Sequence, residues 1–252
     1  RSIQSIHDEV VSRTRESLRY LDVSMFNHIL SSRKIMNSKG KGIITAVIVV
    51  LIALAAFCGF GYISQRMTAS EGITYLDKKE YQKAYEQFDH AAGKFTLIFT
   101  KQKKDVLFYE GEALYQMGEY GKAIEIYDEL IDHGESRAYS LKAYCLAQQK
   151  KLNKAIDVCD QGIKEHPDDG EIYCTKYAVL AKQEKYTQGL KVIETALKQK
   201  ELENKKEVLF ARISAYESMF DFNTAYRYAK AYVKAYPKDA NGKKELTFLE
   251  TR

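Results

Sequence analysis

From Ile43 to Ile63 the chain reads IITAVIVVLIALAAFCGFGYI, 21 residues without a single charge. A helix needs about 20 apolar residues to cross the hydrocarbon core of a bilayer. In lipid the backbone has to satisfy its own hydrogen bonds, so an inserted stretch of this kind is helical. The β-branched run Val47–Val50 is a weak argument against helix, because burial overrides propensity. A core helix of a water-soluble domain keeps a polar face, and this segment has none. A signal peptide has a shorter apolar core of about 7–15 residues close to the N-terminus, whereas 42 residues precede this one. The expectation is one transmembrane helix over 43–63, with a juxtamembrane tail at 1–42 and a larger part at 64–252. The mean hydropathy of −0.41 rules out further spans in number.

Charge gives the orientation. Residues 28–42 carry Arg33, Lys34, Lys39 and Lys41 and no acid, whereas in residues 64–78 Glu71 and Asp77 offset Arg66 and Lys78. Cytoplasmic flanks are enriched in Lys and Arg, so the tail is expected in the cytoplasm and the larger part outside it. The same four cations lie where anionic headgroups would be. Of the formal net charge of +5, the tail holds +4 and residues 64–252 only +1. That distribution reports topology and gives no footprint for nucleic acid. Ala55 and Gly59 form a small-xxx-small pair through which two such helices can approach as a weak homodimer.

Beyond Ser64 one pattern recurs. A helix carries a small residue with Tyr or Leu three later; after a short turn, the next helix has an apolar residue, Ala three later and a further apolar residue beyond. The copies are Gly72, Tyr75, Tyr81, Ala84, Phe88 and Ala91; Gly111, Leu114, Gly118, Tyr120, Ala123, Tyr127 and Leu130; and Ala143, Leu146, Leu152, Ala155, Cys159, Gly162 and Pro167. Two looser ones follow, with Leu180, Tyr186, Gly189, Ile193 and Ala196, then Tyr216, Phe222, Ala225, Ala229 and Pro237. The markers Ala84, Ala123, Ala155, Gly189 and Ala225 are 39, 32, 34 and 36 residues apart. A helix pair that cannot bury its apolar face alone has to stack on its neighbours. Small residues let the paired helices approach, and aromatics such as Tyr75, Tyr81, Phe88, Tyr120 and Tyr127 are expected to fill the wedges between neighbouring pairs. A buried Tyr keeps its hydroxyl at a polar edge, which gives the 19 Tyr of this Trp-free chain a role. Pro167 and Pro237 close second helices. Asp239–Leu249 reads as a short helix covering the open end. The span is expected to run straight into the first repeat helix, since only Ser64–Met67 intervene.

The blocks GEALYQMGEYGKAIEIYDELI and AYCLAQQKKLNKAIDVCDQGIKEHP carry the closest resemblance to a known family, the tetratricopeptide repeats, and the likeness extends over about residues 66–237. It implies an all-α solenoid of about five helix pairs. Tyr177 and Ile213 depart from it by standing where the first helix ordinarily has a small residue, and Gly189 replaces an Ala. The family's first-helix Trp is absent throughout. The resemblance also implies a concave groove lined by the first helix of each pair, which selects Phe108, Glu112, Tyr115, Gln116, Ser140, Tyr144, Gln148, Cys174, Lys182, Phe210, Ser214 and Glu217. Chaperone-binding members clamp a peptide carboxylate with Lys and Asn. Here Ala69, Ile73, Phe108, Glu112, Ser140 and Tyr144 occupy those places, so the expected ligand is an extended or helical polypeptide held by aromatic anchors.

No catalytic constellation, metal site or cofactor motif emerges. The histidines His7, His28, His90, His133 and His166 have no convergent partner in sequence. Cys58, Cys145, Cys159 and Cys174 form no Cys-x-x-Cys pair, and they read as packing residues. Asn37–Gly42, NSKGKG, lacks the spacing of a phosphate loop. Asp168 and Asp169 suit a helix cap. In the tail, helical stretches are expected at Ser5–Leu21 and Val23–Met36. Residues 1–10, RSIQSIHDEV, resemble the closing helix of a bacterial serine/threonine kinase domain, and the chain opens on Arg1 rather than Met. Two functions follow. The first is a membrane-anchored, non-enzymatic module that holds a polypeptide as a scaffold or recruiter. The second is the extracytoplasmic sensor of a receptor whose catalytic domain precedes residue 1.

Overall fold

The computed structural model of the protein describes residues 38–93 and 101–252. The expected tail helices, and the kinase-like stretch, lie outside the described residues. Eleven helices and no strand occur among them: α1 Ser38–Asp77, α2 Tyr81–Ala92, α3 Lys101–Gln116, α4 Tyr120–Asp132, α5 Arg137–Gln148, α6 Leu152–Glu165, α7 Gly170–Lys182, α8 Tyr186–Ala196, α9 Lys205–Ser218, α10 Phe222–Ala235 and α11 Ala240–Leu249. They pack in sequence order as five antiparallel pairs, closed by α11 against α10.

Helix α1 is continuous over 40 residues, about 60 Å at 1.5 Å per residue. Its two halves differ. Val47, Val49, Val50, Leu51, Ile52, Leu54, Phe57 and Phe60 are 50–73% exposed, a fully apolar surface that no described residue covers. By length and composition this half is able to cross a bilayer. From Gln65 onward the same helix belongs to the solenoid. Gln65 is wholly buried and its amide donates to the Ala91 carbonyl of α2 at 3.0 Å, while Ala69 and Gly72 are buried beside it. Of the run NSKGKG, Ser38–Gly42 form the first turns of this helix.

Within each of the first four pairs, an aromatic ring rests on a glycine. A Cβ on Gly72 would stand 2.6 Å from the Phe88 ring, and one on Gly111 would stand 2.5 Å from that of Tyr127. Phe88 and Tyr127 therefore fill the space inside their own pairs, not the wedges between pairs. Tyr75, Tyr81 and Tyr120 are only half-buried. The departures in the fourth copy compensate each other, because Tyr177 of α7 packs onto Gly189 of α8 with ring and glycine on exchanged helices. In the third pair Tyr139 lies on Gly162 and its hydroxyl donates to Glu165 at 2.7 Å. Tyr173 likewise donates to the Pro167 carbonyl at 3.0 Å.

Each first helix ends in the same way. Lys79, Gly118, Lys150, Glu184 and Phe220 take a left-handed conformation, with φ between 51° and 79° among all such residues. The next amide reaches back five residues, as in Glu119 N–H to Leu114 O and Lys151 N–H to Leu146 O, both at 2.9 Å. This double-bonded stop satisfies the terminal carbonyls and reverses the chain. Side-chain caps open the later helices. Asp169 accepts from the Glu171 amide at 2.9 Å, and Asp239 accepts from the Gly242 amide at 2.6 Å to begin the expected end helix.

Between pairs runs a ladder of ion pairs in one register. The residue before the first-helix marker is a cation that meets an acid on the preceding second helix. The rungs are Lys142–Asp128, Lys176–Asp160 and Arg212–Glu194. In the same register between the first two pairs stand Glu110 and Asp89, two acids. Glu110 is 4% exposed, and one of its carboxylate oxygens has no hydrogen-bond partner among the described residues. Burial, with the charges of Asp89 on α2 and Glu129 on α4, pushes it up to about 7, with Lys103 acting in the opposite sense.

Three variants test this packing. Gly111→Ala should destabilise the α3–α4 pair by about 1–3 kcal/mol through overpacking against Tyr127. Gly118→Ala meets no atom and should cost about 1 kcal/mol through its left-handed backbone alone. Amide hydrogen exchange in α3 and α4 measures both. For Glu110 the folded pKa lies above the ordinary 4.5. The unfolded chain therefore ionises first, and stability falls as pH rises from about 4.5 to 7, then levels off. Glu110→Gln should flatten that fall and gain up to roughly 3 kcal/mol on the wild type at pH 8, with little gain at pH 4. Urea unfolding across the pH range reads the difference, and a variant that tracks the wild type at both ends would refute the broken rung.

Candidate functional site

The first helices α3 and α5 are separated on their common face by a cavity of 640 Å³. From α3 it receives Asp105, Phe108, Tyr109, Glu112, Tyr115 and Gln116, and from α5 it receives Arg137, Leu141 and Tyr144, with Tyr127 of α4 reaching its wall. A second cavity of 430 Å³ lies between α1 and α3 and shares Asp105 and Tyr109 with the first. The two form one groove running from the base of the solenoid to Tyr144.

The chain makes this groove by register. Gly111 and Ala143 turn inward against their partner helices, so residues on the opposite side of α3 and α5 face outward at helical spacing. Positions three before, one after and four or five after each marker give Phe108, Glu112, Tyr115, Gln116 and Tyr144, all of which line the cavity. Gln148 is drawn to the same gap, where its amide donates to the Tyr115 hydroxyl at 2.8 Å and bridges the two pairs. The same register one turn earlier would have found Asp105 and Arg137, both six before their markers, and Tyr109 and Leu141, two before. Those four line the cavity and were not among the expected residues.

The remaining expected residues behave differently. Ser140 is wholly buried, with no hydrogen-bond partner among the described residues, and does not reach the groove. At this place α5 turns the position three before its marker into the core beside Tyr139 and Ala143. Phe210 belongs to the fifth pair's core, edge-on to Tyr232 at 5.6 Å. The Ser214 carbonyl accepts from the Ser218 hydroxyl within α9. Glu217 is turned to Glu245 of α11, and burial together with that second carboxylate raises it to about 7. Lys182 is exposed in the last turn of α7, outside the cavity. Cys174 is half-buried, and burial pushes its thiol up to about 12, as it does for the fully buried Cys145 and Cys159. These three are protonated packing thiols at neutral pH.

The cavity is chemically a set of aromatic faces with few charges. The Arg137 guanidinium lies 5.6 Å from the Phe108 ring centre. Tyr115 meets Tyr120 edge-on at 5.4 Å, and Tyr109 stacks on Phe88 at 5.6 Å. Burial raises the Tyr144 hydroxyl, which is a neutral donor and acceptor throughout the physiological range. Asp105 and Glu112 exceed Arg137 by one charge. Rings held in place by neighbouring rings lose little entropy on meeting a ligand, and Tyr and Arg are the residues that most often dominate binding energy.

Comparison with known proteins agrees with the helix-pair register. The tetratricopeptide repeat family model matches residues 69–138 and 108–170, so this stretch, which contains both walls of the groove, is made of tetratricopeptide repeats. A thermophilic TPR protein of Thermus thermophilus has a similar structure, with TM-score 0.55 and 16% identity, covering 75% of this chain and 100% of that one. A tetratricopeptide repeat protein from Parabacteroides merdae superposes with TM-score 0.51 at 13% identity, covering 74% of this chain and 72% of its own. No curated protein matches the sequence. At these identities the likeness is one of fold.

Proposed function

We propose that this chain is a tetratricopeptide module, anchored in a membrane by the lower half of α1, that holds a polypeptide in the groove between α3 and α5 as a scaffold or recruiter. The observation that carries the reading is the aromatic lining of that groove. Phe108, Tyr109, Tyr115 and Tyr144 face one 640 Å³ space with Arg137, Asp105 and Glu112 at its sides. The ligand such a lining favours is a segment with apolar or aromatic side chains and a basic residue that meets Asp105 or Glu112. The anchor rests on the uncovered apolar surface of α1, and the orientation rests on Arg33, Lys34, Lys39 and Lys41 preceding it. In this arrangement the tail is cytoplasmic and the groove lies outside, just above the bilayer.

Two experiments test the proposal. A photoreactive residue at Tyr115 or Tyr144 in native membranes should crosslink a polypeptide that one at Lys154, exposed on α6, does not reach. With that polypeptide isolated, Tyr115→Ala and Tyr144→Ala should each weaken binding about tenfold or more. Unchanged affinity in both would remove the groove assignment. A single cysteine at Lys182 should react with an impermeant maleimide from outside, and one at Ser38 only after permeabilisation; the reverse pattern would overturn the orientation.

A further inference from the structure

The base of the groove has a property that the polypeptide reading leaves unused. The 430 Å³ cavity between α1 and α3 is lined by Tyr62, Arg66, Ser70, Lys101 and Gln102 around an apolar floor of Ala69, Ile73 and Val106. Its height is set by two observations. Arg66 comes three residues after Ile63, the last residue of the uncharged segment, which is about 4.5 Å further along the helix axis. The Gln102 amide donates to the Tyr62 carbonyl at 3.3 Å, which fixes the start of α3, and Lys101 with it, at the level of Tyr62. The polar layer of a bilayer extends roughly 5–7 Å beyond each side of the hydrocarbon. With α1 spanning, both cations stand in that layer, beside a Tyr at the interface where Tyr is enriched.

Of the three lysines that open α3, Lys103 pairs with Glu129 and Lys104 with Glu135. Lys101 and Arg66 have no ion-pair partner among the described residues. The cavity holds one acid, Asp105, at the wall it shares with the concave groove. The Ser70 hydroxyl supplies a further donor.

We propose that this cavity binds the phosphate of an anionic phospholipid headgroup of the outer leaflet, with Arg66 and Lys101 as its cationic contacts, and so fixes the rotation of the solenoid on the membrane. Acyl chains would continue down the exposed apolar face of α1 below Tyr62. The proposal rests on the spanning reading of α1.

The test uses the full chain reconstituted in vesicles of phosphatidylcholine with a minor fraction of phosphatidylglycerol. A phosphatidylglycerol carrying a photoreactive group near its headgroup should label peptides containing residues 62–70 and 101–105, in preference to the corresponding phosphatidylcholine. Arg66→Gln and Lys101→Gln should each reduce that labelling about fivefold, the effect of one cation near an anionic surface. Asp105→Asn should increase it. Carbonate extraction of the same samples separates the two readings. A chain that stays with the vesicles and labels equally in the wild type, Arg66→Gln and Lys101→Gln, or equally with both lipids, overturns the headgroup site alone. A chain released by carbonate overturns the span, and the headgroup site with it.

Discussion

The close approach of an aromatic ring to a glycine inside the first four helix pairs is the constraint on which the rest of the solenoid depends. Where Tyr127 lies on Gly111, no side chain at that glycine fits without moving the ring. The second helix is thereby held at a fixed distance and rotation from the first. The opposite side of α3 is consequently fixed as well, and Phe108, Glu112 and Tyr115 emerge on it in register with Tyr144 of α5. The groove is thus the outward consequence of an inward fit. The fourth pair shows that the fit matters more than the helix that supplies it, since Tyr177 and Gly189 make the same contact with the roles exchanged.

Electrostatics adds direction to this packing. Three junctions carry a cation on the following pair against an acid on the preceding one. The fourth has Glu110, nearly dry, toward an exposed Asp89, and this is the junction between the pair continuous with α1 and the pair that carries the α3 wall of the groove. A buried carboxyl with another beside it favours its protonated form, so the strength of this junction responds to protons. Repeat arrays transmit strain only through neighbours, so the protonation of Glu110 acts directly on the two pairs that meet there.

Much of this was legible in the sequence. The markers from Gly72 to Ala229 placed all five pairs, and Asp239 and the two prolines placed the helix ends, because close helix approach and helix stops each demand particular residues. Half of the groove was legible for the same reason: once Gly111 and Ala143 were known to face inward, Phe108, Tyr115 and Tyr144 followed. Ser140 and Phe210 were misassigned because helical spacing gives direction only to within a fraction of a turn, and neighbouring pairs decide which side of that margin is covered. Arg137 and Asp105 were missed because they stand six residues before Ala143 and Gly111, ahead of the positions that the repeat pattern sampled. The meeting of Glu110 with Asp89 joins positions 21 residues apart whose facing only the stacked pairs define.

In the proposed arrangement everything hangs from one uninterrupted helix, lipid-facing below Ile63 and protein-facing above Gln65. Spin labels placed one at a time from Val47 to Met67, on the full chain in vesicles, measure this directly by their collision rates with oxygen and with a water-soluble nickel chelate. The account predicts oxygen dominance around the whole helix through Phe60, with the nickel complex taking over by Met67. A periodic alternation every three to four residues below Ile63, as for a helix packed on one side against protein, or access of the nickel complex throughout, would contradict it.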